Sequence, residues 1–165
     1  GVRDSSEMLV ALTQYLDTLD EPTVLVFFGD HRPNLGTACT ELGLRYNLNE
    51  TPQETVDTYA VPYVIWSNEA YASAVDLPAR YAALALPENG YLSDNYLGVM
   101  VLQLIGYHGQ SAFFDELNAL RAELPVLRER EATYCLADGT YTDTLPPELA
   151  AAVSRLHKWT YYLLK

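Results

Sequence analysis

Residues 24–33 of the chain read Val-Leu-Val-Phe-Phe-Gly-Asp-His-Arg-Pro. The run of five apolar residues at its start predicts a strand buried on both faces, as in a parallel sheet. Open α/β sheets form their sites at the carboxyl ends of such strands, so Asp30 and His31 lie where a site is expected. A carboxylate oxygen beside an imidazole nitrogen suits a divalent ion such as manganese or zinc.

Asp30 and His31 can bind one ion only if the chain turns where the strand ends. Adjacent side chains of a continuing strand point to opposite faces of the sheet. Gly29 permits an unusual backbone angle at this point, and Pro33 ends ladder pairing soon afterwards. The residues alone leave a second interpretation open, in which Asp30 caps a turn and His31 is an ordinary loop histidine.

The remaining pattern predicts an α/β fold, a mixed sheet flanked by helices, with a β-hairpin near the C-terminus. Strands are expected over 23–28 and 59–66, and Asn68 resembles a helix cap. Helices are expected to begin near residues 4, 93, 111 and 146. Residues 47–58 are predicted to form a polar loop, near the site or merely on the surface, and 71–86 short helices or a loop. Asp138-Gly139 between β-forming residues predicts the hairpin.

Composition indicates one folded domain or subdomain over residues 1–165, because 49% of the residues are hydrophobic. The net charge of −12 argues against nucleic acid or an anionic membrane surface as a partner. Cys39 and Cys135 are too few for a disulfide scaffold. Buried free thiols are expected, and a single disulfide between them is left open.

Several segments together resemble one enzyme family. Residues 27–36, Phe-Phe-Gly-Asp-His-Arg-Pro-Asn-Leu-Gly, are similar to the FGDH-x-P-x-LG segment of lipoteichoic acid synthase-like sulfatases. These are phosphoglycerol transferases of the alkaline phosphatase superfamily. Residues 61–68 resemble the family's TPF-x-I-W-S-N strand, and residues 93–98 and 113–117 resemble later segments. The matches keep the family's order over residues 5–130.

The resemblance implies roles for individual residues. Asp30 and His31 would bind a divalent metal, Mn²⁺ in the first instance, with Mg²⁺ and Zn²⁺ as alternatives. The threonine nucleophile, an acidic ligand and substrate-binding histidines belong to the family's preceding half, and Thr37, Thr40 and Thr51 do not match the nucleophile's position. The chain is therefore expected to be the C-terminal part of a catalytic domain, which membrane helices anchor at the extracellular face of the bacterial membrane.

The resemblance also implies a reaction, in which a threonine attacks the phosphorus of phosphatidylglycerol and glycerol phosphate then passes to an acceptor polymer. The substrate would be a phospholipid head group or another phosphate or sulfate ester. Phosphoglycerol, phosphoethanolamine and sulfate are not distinguished. With two ligands, the isolated chain is expected to bind metal weakly and to be inactive. The alternative is a non-catalytic module in which Asp30 and His31 only shape a turn.

Two further expectations concern partners and the other histidines. An apolar strand left at a free edge invites pairing, so self-association of the chain is expected. His108 lies in a glycine-flanked turn and is expected at the surface. His157 stands beside Lys158, which also indicates a helix surface.

Overall fold

The computed structural model describes residues 2–32, 36–43, 50–107, 109 and 111–163, and of residues 2, 39 and 40 the backbone only. It confirms the α/β class. The helices are α1 (Val2–Leu16), α2 (Thr37–Glu41), α3 (Pro52–Tyr59), α4 (Glu69–Ala74), α5 (Leu77–Ala83), α6 (Leu97–Leu104), α7 (Ala112–Glu123) and α8 (Pro147–Leu163). The strands are β1 (Val24–Phe28), β2 (Tyr63–Ser67), β3 (Val126–Arg128), β4 (Thr133–Cys135) and β5 (Tyr141–Thr142).

Strand β1 forms an antiparallel ribbon with β2, in a register that runs from Val24 opposite Ser67 to Phe28 opposite Tyr63. The prediction of a strand buried on both faces in a parallel sheet is therefore wrong for this chain. Every residue of the ribbon keeps some exposure, and Phe28 is 49% exposed. An apolar run reports how much surface a strand can bury, but it does not specify the direction of its neighbour.

Asn68 joins the ribbon to the end of α1. It is fully buried, and its side-chain oxygen accepts hydrogen bonds from the backbone N–H groups of Thr23 and Tyr71. Its amide nitrogen donates to the backbone carbonyls of Leu16, Leu19 and Glu21. The predicted cap of α4 is confirmed, and the same side chain also satisfies the turn that leads into β1.

The segment predicted as a polar loop contains helix α3 instead. Thr51 is its N-cap, and the Thr51 hydroxyl accepts a hydrogen bond from the Glu54 backbone N–H. Pro52 occupies the first turn, where its missing N–H costs nothing. Residues 69–83 form the two short helices α4 and α5, so the expectation of short helical pieces is confirmed.

The predicted hairpin is confirmed as strands β4 and β5, and β3 adds a third antiparallel strand. Gly139 has a φ of 83° in the connecting turn, which a residue with a side chain rarely adopts. The C-terminal helices enclose the largest core cluster, formed by Tyr96, Val99, Leu117, Leu120, Leu124, Val153 and Leu156. A second cluster around Met100 and Leu104 supports one face of the ribbon through Val24 and Ile65.

Among the helices of the described residues, none is long and apolar enough to cross a bilayer.

Candidate metal centre

The turn after β1 rests closely on the segment that leads into β2. The Gly29 N–H donates to the Pro62 carbonyl over 3.1 Å. A Cβ atom on residue 29 would lie 3.1 Å from the Val61 Cβ, closer than such contacts normally allow. Gly29 has no left-handed φ, so the predicted use of an unusual backbone angle is wrong. Glycine is favoured here because a Cβ atom would press against Val61.

Asp30 and His31 converge in this turn, as the sequence predicts. The His31 Nε2 and Asp30 Oδ2 atoms are 3.4 Å apart. The other carboxylate oxygen, Oδ1, accepts the His31 backbone N–H at 2.9 Å, which holds the carboxylate against the turn. The two side chains therefore do not point to opposite faces of a continuing strand, because regular pairing has ended at Phe28.

The donor atoms of this pair are arranged as those of metal ligands commonly are. His31 Nδ1 lies 3.0 Å from the Arg32 carbonyl oxygen, so a proton on Nδ1 would leave Nε2 unprotonated. A metal-binding histidine usually donates its second ring N–H to such an acceptor. Two atoms bonded to one tetrahedral ion at about 2.0–2.2 Å lie about 3.4 Å apart. The spacing of Nε2 and Oδ2 therefore fits two ligands of one ion.

The pair is open to solvent and incomplete as a metal site. The side chains of His31 and Asp30 are 76% and 86% exposed. Within the described part of the chain, no group of three His, Cys, Asp or Glu side chains is placed to hold a metal. A protein site for a transition ion normally supplies three or four ligands. Asp30 and His31 thus fit a divalent ion as two ligands of a larger set.

Arg32 adds a positive charge next to the pair. Its Nε donates to the carbonyl of Ala60, the residue that caps α3, over 2.7 Å. The guanidinium is planar, so this bond at Nε also fixes the plane in which its terminal amino groups lie. Arginine binds phosphate and sulfate oxygens through those groups. The turn therefore brings a carboxylate–imidazole pair and a guanidinium group together.

A cavity of about 580 Å³ lies against α3, the helix that precedes this anchor, and no pattern in the sequence indicates it. Helix α3, the 87–91 segment and the β4–β5 turn line it. Three of its lining residues, Asp57, Glu88 and Asp138, carry carboxylates. The lining comes from three separate segments, so only the folded chain brings these groups together.

Hydrogen bonds hold the cavity's polar side chains in place. The Tyr91 hydroxyl donates to Asp57 Oδ1 at 2.6 Å. This bond, with burial and the Asp57 charge, raises the pKa of Tyr91 to about 12, while the nearby Arg32 lowers it slightly. Asn89 accepts the Tyr91 backbone N–H and donates to the Tyr141 hydroxyl. The Tyr91 hydroxyl therefore stays protonated at neutral pH and acts as a donor to Asp57.

The remaining candidate residues take structural positions. Cys135 is a buried free thiol, as expected, and burial raises its pKa, so it is a poor nucleophile. His157 is exposed, as predicted, and lies 2.7 Å from Glu129. His108, Pro33, Leu35 and the Cys39 side chain lie outside the described residues. The sequence predicts the Asp30–His31 pair as a candidate site, whereas it does not predict the cavity.

Comparisons with known proteins identify the family to which the chain belongs. The Sulfatase family model matches residues 1–107, which include the Asp30–His31 turn. The chain is 26% identical over 107 residues to the "Putative cyclic beta-1,2-glucan modification protein" of Rhizobium meliloti (strain 1021). That match covers 61% of this chain and 17% of the relative's length. No solved structure matches the chain. Because the family match spans well over half of its residues, the chain belongs to the Sulfatase family.

Proposed function

We propose that Asp30 and His31 supply two metal ligands to a phosphoglycerol transferase-like enzyme of the Sulfatase family. The enzyme would act on a phosphate ester at the outer face of a bacterial membrane. The observation that carries the proposal is the 3.4 Å approach of His31 Nε2 to Asp30 Oδ2, with His31 Nδ1 engaged by a backbone carbonyl. A divalent ion, Mn²⁺ in the first instance, would supply Lewis-acid chemistry there by stabilising a deprotonated hydroxyl and negative charge on the ester.

The chain's own residues would bind and orient the ester. Asp30 and His31 hold their donor atoms in one turn, and Arg32 offers its terminal amino groups to the ester oxygens. In a phosphoryl transfer, the bond from phosphorus to the donor oxygen breaks and a bond to the acceptor oxygen forms. The acceptor's hydroxyl proton ends on the donor alcohol. We assign no nucleophile to this chain.

The relative's name indicates the kind of acceptor. It describes modification of a cyclic β-1,2-glucan, which is a polymer of glucose whose units carry free hydroxyl groups. We therefore propose a glycan hydroxyl as the acceptor and a phospholipid head group as the donor. A sulfate ester is the alternative donor, because tetrahedral sulfate offers the same oxygens to Arg32.

Metal binding can be measured on this chain without any activity assay. Broadening of amide NMR signals by Mn²⁺ should be centred on residues 29–32, with weak affinity on the order of 0.1–1 mM, because two ligands are supplied. Asp30→Asn and His31→Gln should each abolish the effect. His157→Gln is the matched control, because His157 also lies beside a carboxylate at an exposed position. Broadening that persists in the Asp30 and His31 variants would contradict the proposal, and submicromolar affinity would mean that further ligands were missed.

Activity is tested in the longest protein that contains this chain. Asp30→Ala should lower turnover of phosphatidylglycerol by about 1,000-fold or more while thermal unfolding stays unchanged, because the side chain is exposed. An aryl sulfate tested in parallel separates the two donor classes. Retained turnover would remove Asp30 from the chemistry and favour the non-catalytic interpretation of the turn.

A further inference from the structure

The cavity beside α3 has a chemical character opposite to that of the Asp30–His31 turn. Asp57, Glu88 and Asp138 line it, and none of its lining residues is Lys, Arg or His. The three carboxylates of the lining would repel phosphate and sulfate groups. Arg32 acts electrostatically on Tyr91 but is not part of the lining. A ligand that donates hydrogen bonds and carries no negative charge would be favoured.

The cavity also offers the mixture of groups that binds sugars. The side chains of Tyr91 and Tyr141 are half-buried and present ring surface beside their hydroxyls. Amide side chains from Gln53 and Asn89 can both donate and accept hydrogen bonds. Carboxylates accept from hydroxyl groups in strong charge-assisted bonds. At about 580 Å³ the cavity falls within the usual range for a small-molecule site.

Much of this lining is set before a ligand arrives. Asp57 is fixed by the Tyr91 hydroxyl, and Asn89 is fixed by bonds to Tyr91 and Tyr141. Asp138 is held by the Thr140 backbone N–H at 2.9 Å. Side chains that are already ordered lose little conformational entropy on binding, so a weakly interacting neutral ligand can still be held.

The cavity is linked to the metal turn through one helix. Asp57 lies in the last turn of α3, and Ala60, which follows that helix, accepts the hydrogen bond from Arg32. A ligand in the cavity would therefore lie one helical turn from the residue that anchors Arg32. This is a suitable place for the part of an acceptor that does not react.

We propose that this cavity binds a neutral saccharide and serves as an acceptor subsite beside the Asp30–His31 turn. The acceptor role rests on the proposed function, whereas saccharide binding rests on the cavity itself. Gln53 and Asp57 share one face of α3, four residues apart, and would contact the sugar hydroxyls from that helix.

The test is a titration of this chain, without metal, with a β-1,2-linked glucose trisaccharide, followed by NMR. Signals from 53–57, 87–91 and 137–141 should shift together. Asp57→Asn should weaken binding about tenfold, since a bond to a charged acceptor is lost, while Asn keeps an oxygen for Tyr91. Gln53→Ala should also weaken binding, and its side chain is exposed, so the fold is unaffected. Asp143→Asn is the control, because it removes a nearby charge outside the cavity.

The other outcomes would overturn the proposal. Equal weakening by Asp143→Asn would indicate a general charge effect, and a sulfated trisaccharide that binds as tightly would refute a neutral-ligand site. Shifts of the same signals by Mn²⁺ at similar concentration would make the cavity a cation site. Absence of trisaccharide binding up to about 50 mM would remove the subsite. Failure here leaves the Mn²⁺ broadening at residues 29–32 unaffected, so the two proposals fail separately.

Discussion

The missing side chain of Gly29 lets the turn that holds the candidate metal pair pack closely against the segment before β2. The Val61 Cβ lies 3.1 Å from the position that a Cβ of residue 29 would take, and the Gly29 N–H donates to the Pro62 carbonyl. The strand must end here for Asp30 and His31 to converge. Close contact with Val61, rather than a special backbone angle, is what favours glycine at this position.

Replacing Gly29 by Ala should lower the free energy of unfolding by about 1–2 kcal/mol, because the new methyl group meets Val61 at 3.1 Å. In a Val61→Gly background, which removes the Cβ that the methyl group meets, the same change should cost less than half as much. Gly98→Ala is the control, since nothing lies within 4 Å of its Cβ position. Urea unfolding of the four proteins of the double-mutant cycle measures the coupling, and additive effects would contradict the contact.

The residues of the site differ in how far the sequence reveals them. Asp30 and His31 follow an apolar run after a single glycine, so their place at the end of the strand is predictable, and their convergence follows if the chain turns there. The role of Gly29 is not predictable, because Val61 is far away in sequence. The cavity is hidden for the same reason, since Asp57, Asn89 and Tyr141 come from separate segments with no motif of their own.

At the scale of elements, the sequence of α3 contains a helix-capping signal, although its polar composition favours a loop. Its residues are polar, which favoured a loop over 47–58. The signal lay in Thr51 and Glu54, which have the spacing of a helix-capping pair, with Pro52 at the first helical position. Val56 packs with Val126 and Cys135, and this packing stabilises the helix. No sequence pattern predicts these contacts.

The junction of α7 and α8 should depend on pH through Glu116. Its carboxylate accepts hydrogen bonds from Arg155 Nε and Trp159 Nε1, each at 2.6 Å. These bonds, with that to Arg155 first, hold the pKa of Glu116 below its ordinary value of 4.5. A lowered pKa in the folded state gives stability that is present above the unfolded pKa and is lost as pH falls through the folded pKa.

The Glu116→Gln variant should therefore be less stable than the native chain by a constant amount above about pH 4.5, and by less at lower pH. Arg155→Gln removes the first of the two partners and should abolish most of this pH dependence. Chemical unfolding between about pH 3 and pH 6 measures the difference. Curves for Glu116→Gln and the native chain that stay parallel over that range would rule out this contribution.

At the scale of the whole molecule, the sequence predicts which segments form helices and strands better than it predicts how those segments pack together. The α/β class, the C-terminal hairpin and the long helices α7 and α8 follow from local patterns and are confirmed. The antiparallel pairing of β1 with β2 does not follow from local patterns, because hydrophobicity carries no information on strand direction. The two strands of the ribbon are as apolar as central strands of a sheet. Within the described residues, however, their side chains remain partly exposed.

We expect this ribbon to drive self-association. Leu25, Phe27, Val64 and Trp66 lie on the face opposite Val24 and Ile65. Val64 on that face is 43% exposed, and within the described residues each strand of the ribbon pairs only with the other. Open edges and apolar sheet faces favour pairing with another chain. A specific dimer should bury more than about 1,000 Å² in total.

Light scattering on the purified chain should therefore show a dimer whose population rises with concentration. Val64→Lys should shift the chain to monomer, because an ammonium group buried between two ribbons would lack a partner and lose its hydration. Val10→Lys is the matched control: Val10 is 55% exposed and belongs to α1 rather than to the ribbon, so its replacement should leave the dimer unchanged. A chain that stays monomeric at about millimolar concentration would show that the ribbon's exposure alone does not cause association. A dimer lost only in the Val10 variant would place the contact on α1 instead.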